Sequence, residues 1–557
     1  MTQSPAGKAE DGRNANDHRR FAIGARRNLT RGHNSGMSER AHGLRRGGLW
    51  AAGLAAVVAF AVLAGRFWHP YYGFTRFIQL DEADARSGLH EIRENPVFVY
   101  DGFNGYDGAA YAQIAFHPLL DSPELQPALG NVPYRARRIL GSALAWLLAA
   151  GDPARIAGTY AALNVGVWFV LAALLWRVLP VTDARSWCAW AGLMFSAGTL
   201  HSVRLALTDL LAATLVVAAI WFGERARWRG GVSLLATAGL ARETALAAVV
   251  GLWRDSGKAR RGWAANVAGT VVVCLPLFAW VAYVRWKAGP AAQGFGNFTW
   301  PIFGWVEKWV EAAHEMAGPA EFRWLASTTF LALVGLTVQA TYLLRRRAGG
   351  DPWWRVGIAG VGMMALLGTS VWEGHPGAAT RVLLPMSAAF AVFAVRTRAG
   401  WGWVLGGGLT VFSGVLALWH VPQSPREIAA GRFTAGAYVV RIEQGWYGVE
   451  RVANHTWAWA AQRAQVSGEL APRQAQQVEV RLKLRAAAPR ELEIRGDDRT
   501  LWRGRVGEQI ETIAVPVPVD ARGRFRLEFR TDAAPVRENA NADARGLGFA
   551  LYGVALR

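Results

Sequence analysis

The sequence predicts a polytopic α-helical membrane protein of about 10–12 membrane segments with a C-terminal all-β sandwich domain. Apolar runs recur through the first three quarters of the 557-residue chain, in which 52% of the residues are hydrophobic. Many runs approach roughly 20 residues, enough to cross the hydrocarbon core of a bilayer. After PQSPRE these runs stop, and apolar and polar residues alternate instead. The chain therefore divides into a helical membrane part and a β part.

The N-terminal residues, 1–46, are rich in Arg, Gly, Ser and Asn and poor in large apolar residues. This composition predicts a disordered basic cytoplasmic tail. The next segment, GGLWAAGLAAVVAFAVLAGRFW, is predicted to be the first span of a transmembrane domain over 47–422, because no signal-peptidase pattern followed by a soluble chain is present. A long polar loop, 68–134, then lies outside the membrane.

Ten further candidate spans follow, at about 137–150, 157–178, 187–203, 205–223, 231–253, 264–286, 325–344, 356–372, 382–396 and 400–420. The Arg-rich connections 224–231, 254–262, 345–355 and 396–400 are predicted to be cytoplasmic. Two of them bracket the single stretch 231–253. If both connections are cytoplasmic, this stretch is a helical hairpin that does not cross the membrane, with AGLARET at its tip. The alternative is that 137–150 is the short or re-entrant segment.

The C-terminal region, 433–557, alternates apolar and polar residues with period two in VEVRLKLRAAA, RELEIRG and RFRLEFRTD. This pattern predicts an antiparallel β-sandwich. Its aromatic residues Trp446, Tyr447, Trp457 and Trp459 are suited to stacking on sugars or to seating the domain on the membrane, but filling the core is the more typical role.

The remaining composition excludes several classes of function. The net charge of +20 is explained by basic residues beside membrane segments, so no nucleic-acid partner is predicted. Cys188 and Cys274 lie inside apolar runs and form no disulfide or zinc pattern. Walker A, HExxH and G-x-S-x-G motifs are absent, and His375 has no second His at ligand spacing. We therefore predict no metal site and no cofactor, with assistance by a divalent cation left open.

Candidate carboxylates lie in the first loop. Asp107 in YDGAAYAQ either caps the helix that follows or carries chemistry. Asp101 belongs to a turn dipeptide, and Asp81 and Glu82 lie in a polar run typical of a solvated face.

Candidate arginines begin or flank the apolar runs. Arg135, Arg137 and Arg138 open a run on the predicted outer side, against the usual charge bias. They either bind an anionic ligand or contact lipid headgroups or the acidic loop. Arg381 lies at another outer boundary, in WEGHPGAATR.

Polar residues inside two later runs are further candidates. Arg204 and Thr208 are predicted to share a helix face by their i, i+4 spacing. Asp209 either caps a helix or pairs with an Arg, and Arg242 and Glu243 are spaced for an internal ion pair. Carboxylates with arginines near the outer leaflet suit one chemistry, in which a carboxylate takes a hydroxyl proton and arginines hold a departing phosphate.

The segments GYDGAAYAQIAFHPLL, YRARRILGSALAWLLAAG, SVRLALTD and LARET resemble bacterial members of the GT-C superfamily of integral membrane glycosyltransferases, which share Tyr-Asp-Gly and Tyr-Arg-x-x-Arg-Ile motifs. The resemblance covers roughly residues 70–255. It implies an inverting transfer of sugar from a polyprenyl-phosphate donor to a glycan, lipid or protein acceptor. It also implies a multi-pass protein of the bacterial inner membrane, in contact with membrane lipid, with a cytoplasmic N-terminus and a periplasmic C-terminal domain.

The same resemblance implies roles for single residues. The general base is Asp107, with Asp81, Glu82 and Asp101 as alternatives; the GT-C enzymes often carry an Asp-Glu pair soon after the first span. The implied phosphate-binding residues are Arg135, Arg138, Arg204 and Arg381. The implied supporting residues are Tyr106, Tyr111, Tyr134, Asp209, Arg242 and Glu243. Competing hypotheses are a flippase or transporter of lipid-linked glycans and a non-catalytic glycan-binding membrane scaffold.

Overall fold

The computed structural model describes residues 47–100, 105–254, 260–290, 295–319, 323–434, 436–452, 455–471, 476–497, 499–537 and 545–557. The predicted tail, 1–46, and the alternative base Asp101 lie outside the described residues.

The N-terminal part of the described chain is helical. Its helices are α1 (Gly47–Gly65), α2 (Glu82–Ser87), α3 (His90–Glu94), α4 (Asp107–Ile114), α5 (Leu125–Leu129), α6 (Val132–Arg135), α7 (Ile139–Leu148), α8 (Pro153–Val178), α9 (Ala184–Met194), α10 (Ala197–Arg204), α11 (Asp209–Glu224), α12 (Trp228–Ala241), α13 (Arg260–Ala288), α14 (Phe303–Ala317), α15 (Arg323–Arg345), α16 (Pro352–Leu366), α17 (Thr369–Trp372), α18 (Ala379–Val382), α19 (Leu384–Arg396), α20 (Trp401–Gly407) and α21 (Val411–Ala417). Shorter 3₁₀ segments occupy Thr75–Phe77, Glu243–Leu252 and Phe295–Asn297. A small parallel sheet pairs β1 (Leu80–Asp81) with β2 (Val99–Tyr100).

Several helix starts follow directly from the local sequence. Asp152, Asp183 and Asp351 each accept a backbone N–H from the first turn of the helix that follows. Pro occupies the first position of α8 and of α16, where its missing N–H costs nothing. These acidic caps set the starts of α8, α9 and α16.

Four helices among the described residues are long and apolar enough to cross a membrane, namely α1, α8, α13 over Trp263–Ala288, and α15. The other predicted spans are shorter. The run 187–203 divides into α9 and α10, because the Ser196 side chain caps a new helix inside it. The run 400–420 divides into α20 and α21 around three consecutive glycines, which are poor helix formers. The predicted total of about 10–12 segments therefore remains a prediction beyond these four.

The runs 137–150 and 231–253, which were the candidates for a short or re-entrant segment, both contain only short helices. Helix α7 has 10 residues, and the run 231–253 breaks at Arg242, where the backbone is extended (φ −155°, ψ 123°). Helix α12 and the 3₁₀ segment Glu243–Leu252 then pack against each other. The charged residues of AGLARET thus lie at a chain reversal, as the hairpin prediction requires.

Three of the connections predicted to be cytoplasmic meet in space. The Arg396 side chain forms a bidentate ion pair with Glu224 and lies 3.8 Å from an Asp351 carboxylate oxygen. These loops therefore lie at the same end of the helical domain, and their cytoplasmic placement stays a prediction.

The C-terminal region is all-β, as predicted. Its strands are β3 (Glu427–Phe433), β4 (Gly436–Ile442), β5 (Trp446–Val452), β6 (His455–Ala460), β7 (Arg463–Ala471), β8 (Gln477–Ala486), β9 (Arg490–Gly496), β10 (Arg499–Val506), β11 (Glu511–Pro518), β12 (Arg524–Arg530) and β13 (Phe549–Leu556). They form a six-stranded sheet, β10-β9-β12-β7-β4-β3, and a five-stranded sheet, β11-β8-β13-β6-β5. Alternate buried residues such as Val480, Leu482 and Phe529 form the core of this domain.

The aromatic residues of this domain mostly fill space. The Trp446 ring contacts Phe529 and Phe549 in the core, and its indole N–H donates to the Gln465 carbonyl. Trp459 is buried. Trp457 stacks on Tyr552, whereas Tyr447 is 44% exposed. The core explanation therefore holds for Trp446, whereas Trp459 packs with Leu547 and Ala550 in a separate cluster on the other face of its sheet.

The β domain rests on the first loop. Tyr71, Tyr72, Phe98 and Tyr100 of the loop form one buried cluster with Ala437 and Val439 of β4. Arg441 of β4 donates to the Tyr72 hydroxyl, and Arg426 lies 3.5 Å from a Glu82 oxygen. An apolar centre with a polar rim therefore joins the two domains.

His69, just after α1, makes the stability of this junction sensitive to acid. Its Nδ1 accepts from the backbone N–H groups of Tyr71 and Tyr72, which requires an unprotonated nitrogen. Burial, assisted by the Arg76 charge, lowers the pKa of His69 from 6.5 to about 4. Between these two values the unfolded chain binds a proton that the folded chain does not, so stability falls as pH decreases through this window.

We therefore expect the unfolding midpoint of the wild type to fall more steeply between pH 6.5 and pH 4 than that of His69→Asn. Asn keeps an acceptor but cannot titrate. The measurement is thermal unfolding in detergent across this pH range. Parallel curves for the two proteins would show that His69 does not contribute.

Candidate functional site

The loop that carries Asp107 is tied to the small parallel sheet. The Gly105 N–H donates to Asp81 Oδ2 (2.7 Å), and the Tyr106 N–H donates to the Gln79 carbonyl. Helix α4 then begins at Asp107, with Tyr106 in the N-cap position and no side-chain cap. A Cβ atom on Gly108 would lie 2.2 Å from the Leu205 carbonyl oxygen. Only glycine allows this contact, which presses the start of α4 against the end of α10.

Asp107 is not the N-cap, so that alternative is wrong. The Asp107 side chain is 38% exposed, and its Oδ1 lies 3.9 Å from Arg135 Nε. Within the part of the chain that the structure describes, its carboxylate receives no hydrogen bond. An accessible, weakly paired carboxylate at a helix start is suited to accept a proton.

Arg138 is committed to other side chains. Its guanidinium holds Glu243 through two hydrogen bonds of 3.0 Å and donates to the Tyr111 hydroxyl at 2.7 Å. The Arg138 side chain is 6% exposed. The Arg138 charge is already balanced by Glu243, and its predicted role as a phosphate ligand stays a prediction. Arg138 locks α4, α7 and the 3₁₀ segment together.

The other residues of this Arg cluster surround Tyr134. The Arg137 guanidinium lies 4.7 Å from the centre of the Tyr134 ring, and Arg138 lies at 5.5 Å. Arg135 donates to the Leu129 carbonyl at 3.0 Å and keeps its Nε directed near Asp107. Arg135 is therefore the member of the cluster that shares the site with the candidate base.

Arg381 and Arg204 reach the site from two other segments. Arg381 is 7% exposed and donates to the Tyr106 hydroxyl at 2.6 Å. Arg204 lies over the rings of Phe67 and Tyr100. Arg204 Nη1 and Arg381 Nε are buried and receive no protein partner among the described residues. Buried guanidinium donors without partners are costly, so both are suited to an anionic ligand.

Arg204 and Thr208 do not share a continuous helix, contrary to the prediction. Helix α10 ends at Arg204, and Thr208 occupies the N-cap position of α11. The intervening residues turn the chain, with a positive φ at Ala206. This turn places Leu205 against Gly108.

The ion pairs that involve Asp209, Arg242 and Glu243 match one prediction and contradict another. Arg242 lies 3.1 Å from Asp209, whose side chain is 2% exposed, whereas Glu243 binds Arg138. Asp209 therefore pairs with an Arg, as one alternative held. The prediction of an internal Arg242–Glu243 ion pair is wrong. Neighbouring side chains of extended backbone point in opposite directions.

Two alternative bases have structural partners. Asp81 caps α2 through Oδ1, which accepts from the Asp84 N–H at 2.6 Å, while Oδ2 accepts from Gly105. Glu82 pairs with Arg86 at 3.2 Å and turns toward the β domain. Neither carboxylate is as free as that of Asp107.

Sequence reasoning missed Asp84 and His201. A Cβ on Gly105 would lie 2.4 Å from an Asp84 oxygen, so Asp84 stands beside the Asp107 loop. Burial, together with the Asp81 charge, raises the pKa of Asp84. His201 lies within electrostatic range of Arg204 and Arg381. The i, i+3 spacing of Asp81 and Asp84 was the available signal for Asp84.

Among the described residues, no group of three His, Cys, Asp or Glu side chains is arranged to hold a metal ion. The candidate site therefore consists of one accessible carboxylate, Arg135 beside it, and two further guanidinium groups, with buried ion pairs behind them.

No protein family and no curated protein matches the chain. Among solved structures, the arabinosyltransferase EmbB from Mycobacterium smegmatis is similar, with 13% identity over 82% of this chain and 66% of that chain and a TM-score of 0.20. A TM-score at this level does not define a common fold. The functional inference therefore rests on the chemistry of the site and on the sequence motifs.

Proposed function

We propose that the chain is a GT-C-type membrane glycosyltransferase that moves a sugar from a polyprenyl-phosphate donor to an acceptor hydroxyl on the outer face of the bacterial inner membrane. The observation that carries the proposal is the accessible Asp107 carboxylate, free of hydrogen bonds among the described residues, with Arg135 3.9 Å away. Asp107 lies in the Tyr-Asp-Gly motif and Arg135 in the Tyr-Arg-x-x-Arg-Ile motif. Both motifs resemble those of GT-C glycosyltransferases.

The two other arginines are held against the residues on either side of Asp107. Arg381 binds the hydroxyl of Tyr106, the preceding residue. Leu205, next to Arg204, contacts Gly108, the following residue. Helix α10 and helix α18 also pack closely, which brings Arg204 and Arg381 into one neighbourhood. In this proposal the donor phosphate binds Arg204 Nη1 and Arg381 Nε, which have no partner among the described residues.

The reaction is a direct displacement. The acceptor O–H gives its proton to Asp107, and its oxygen forms a bond to the anomeric carbon. The bond from that carbon to the phosphate oxygen breaks, and the electron pair leaves with the lipid phosphate. Arg204 and Arg381 stabilise the charge of the leaving phosphate, and the single displacement inverts the anomeric centre. Arg138 supports the site by holding Tyr111 and Glu243.

The test is release of polyprenyl phosphate from a panel of polyprenyl-phosphate sugars by protein in lipid nanodiscs. We expect acceptor-dependent release by the wild type and a loss of roughly 10²-fold in Arg381→Gln, because one phosphate donor is removed. The control is Arg177→Gln, an exposed arginine at the end of α8, which leaves turnover unchanged. Donor movement across the bilayer without release of phosphate would favour a flippase, and binding without either would favour a scaffold.

A further inference from the structure

A groove runs between the first loop and the β domain. It consists of two cavities of about 550 Å³ and 410 Å³, and Arg441 and Glu469 line both. The first cavity is enclosed on one side by loop residues that include Arg86 and Arg93, and on the other by Arg426 of the β-domain side. Each volume lies within the range of ligand sites, and the shared lining by Arg441 and Glu469 makes the two cavities neighbours.

The floor of the second cavity is the outer face of the six-stranded sheet. Strand register places Arg441, Ser467 and Arg526 in one row across β4, β7 and β12. Glu469 and Arg524 form the next row. Phe525, which lies between these rows, and Leu527, which follows the first row, point into the core. The alternation of the strands therefore builds a continuous polar track.

The first cavity carries an excess of positive charge, since four arginines and two glutamates line it. Glu82 is shared between Arg86 at 3.2 Å and Arg426 at 3.5 Å, so one carboxylate balances two guanidinium groups. Arg93 in this cavity and Arg526 in the second are exposed. Within the described residues, neither guanidinium makes a hydrogen bond or ion pair. These two groups are available to an anionic ligand, one in each cavity.

The length and lining of the groove define the ligand. A small anion would occupy only one of the two cavities. The strands β4, β7 and β12 lie inside the sheet, where their backbone groups are already paired, so a peptide cannot add to them as a further strand. The excess of arginine in the first cavity suits acidic groups. The second cavity is balanced, with three arginines against Glu469, Asp497 and Asp520, and its mixed polar lining suits hydroxyls of the same chain. We propose that this groove binds an oligosaccharide that carries carboxylate or phosphate groups.

Helix α2 connects this groove to the Asp107 loop. Asp81 and Asp84 face Gly105 on one side of α2, whereas Glu82, Ala85 and Arg86 line the first cavity on the other. A saccharide in the groove therefore ends one helix away from Asp107. If the proposed function holds, this saccharide is the acceptor; the binding site itself does not depend on catalysis.

The test measures binding to the full chain in nanodiscs by calorimetry. The probes are a galacturonate hexamer, a phosphorylated mannan oligosaccharide, neutral maltohexaose and a poly-Glu peptide. The variant Arg93→Gln/Arg526→Gln removes one exposed charge from each cavity. The control, Lys483→Gln/Arg505→Gln, removes two exposed charges outside it.

We expect one of the two acidic saccharides to bind the wild type and the control equally, and the groove variant at least about tenfold more weakly. Which acidic saccharide binds identifies carboxylate or phosphate as the recognised group. Equal binding by the groove variant, tighter binding of poly-Glu or maltohexaose, or no binding of either acidic saccharide would overturn the proposal. Asp107→Asn should bind the saccharide as the wild type does. The binding result can therefore be interpreted even if the catalytic proposal fails.

Discussion

Asp107→Asn is expected to lower turnover of the lipid-linked donor by roughly 10²–10⁴-fold, the contribution of a positioned general base. Asn has nearly the same shape but cannot take a proton from the acceptor. Because the Asp107 carboxylate receives no hydrogen bond within the described residues, its loss should leave the unfolding midpoint unchanged. Donor binding should also persist, since the arginines that hold phosphate are untouched.

The control for this experiment is Asp121→Asn in the same loop. The Asp121 side chain is 64% exposed and contacts His117 rather than the site, so its turnover should equal that of the wild type. Full turnover in Asp107→Asn would contradict the assignment. The base would then be sought first at Asp84, whose pKa is raised and which lies beside Gly105, and next at Asp81 and Glu82.

Glu243→Ala is expected to destabilise the helical domain by about 3 kcal/mol, the typical cost of leaving one member of a buried ion pair alone. Arg138 is 6% exposed and binds Glu243 through two hydrogen bonds. Without Glu243 its charge stays buried with only the Tyr111 hydroxyl as a strong partner. Denaturant titration in detergent micelles measures the change in the free energy of unfolding.

A double-mutant cycle tests whether the pair itself is responsible. Arg138→Leu/Glu243→Ala should cost less than the sum of the two single variants, because no unpaired charge is then buried. The control is Glu491→Ala, which removes an exposed pair with Arg503 in the β domain and should cost less than about 1 kcal/mol. An additive cycle would mean that Arg138 and Glu243 stabilise the fold independently.

The division of the chain was predictable because it depends on periodicity alone. Long apolar runs produced α1, α8, α13 and α15, and alternation with period two produced the strands of the β domain. The breaks inside other runs were harder to predict. A serine such as Ser196 caps a helix only when the chain leaves the helical path there, and hydropathy averages over that change.

The site was predictable as a set of residue types and less so as a set of contacts. Tyr-Asp-Gly and Tyr-Arg-x-x-Arg-Ile identified Asp107, Arg135 and Arg138 as candidates. Spacing suggested that Arg242 would pair with Glu243, its neighbour. The chain instead pairs Glu243 with Arg138, 105 positions away, because extended backbone at Arg242 directs the two side chains apart.

The sequence by itself determined that this chain has a helical membrane part and a β part, because burial in lipid or in a sheet imposes a repeating pattern along the chain. It also predicted which acidic and basic residues lie near membrane boundaries. Only the tertiary structure decided which arginines are neutralised and which stay unpaired. That distinction depends on contacts between distant segments: Glu243 occupies Arg138, whereas Arg204 and Arg381 keep buried guanidinium atoms without a partner among the described residues.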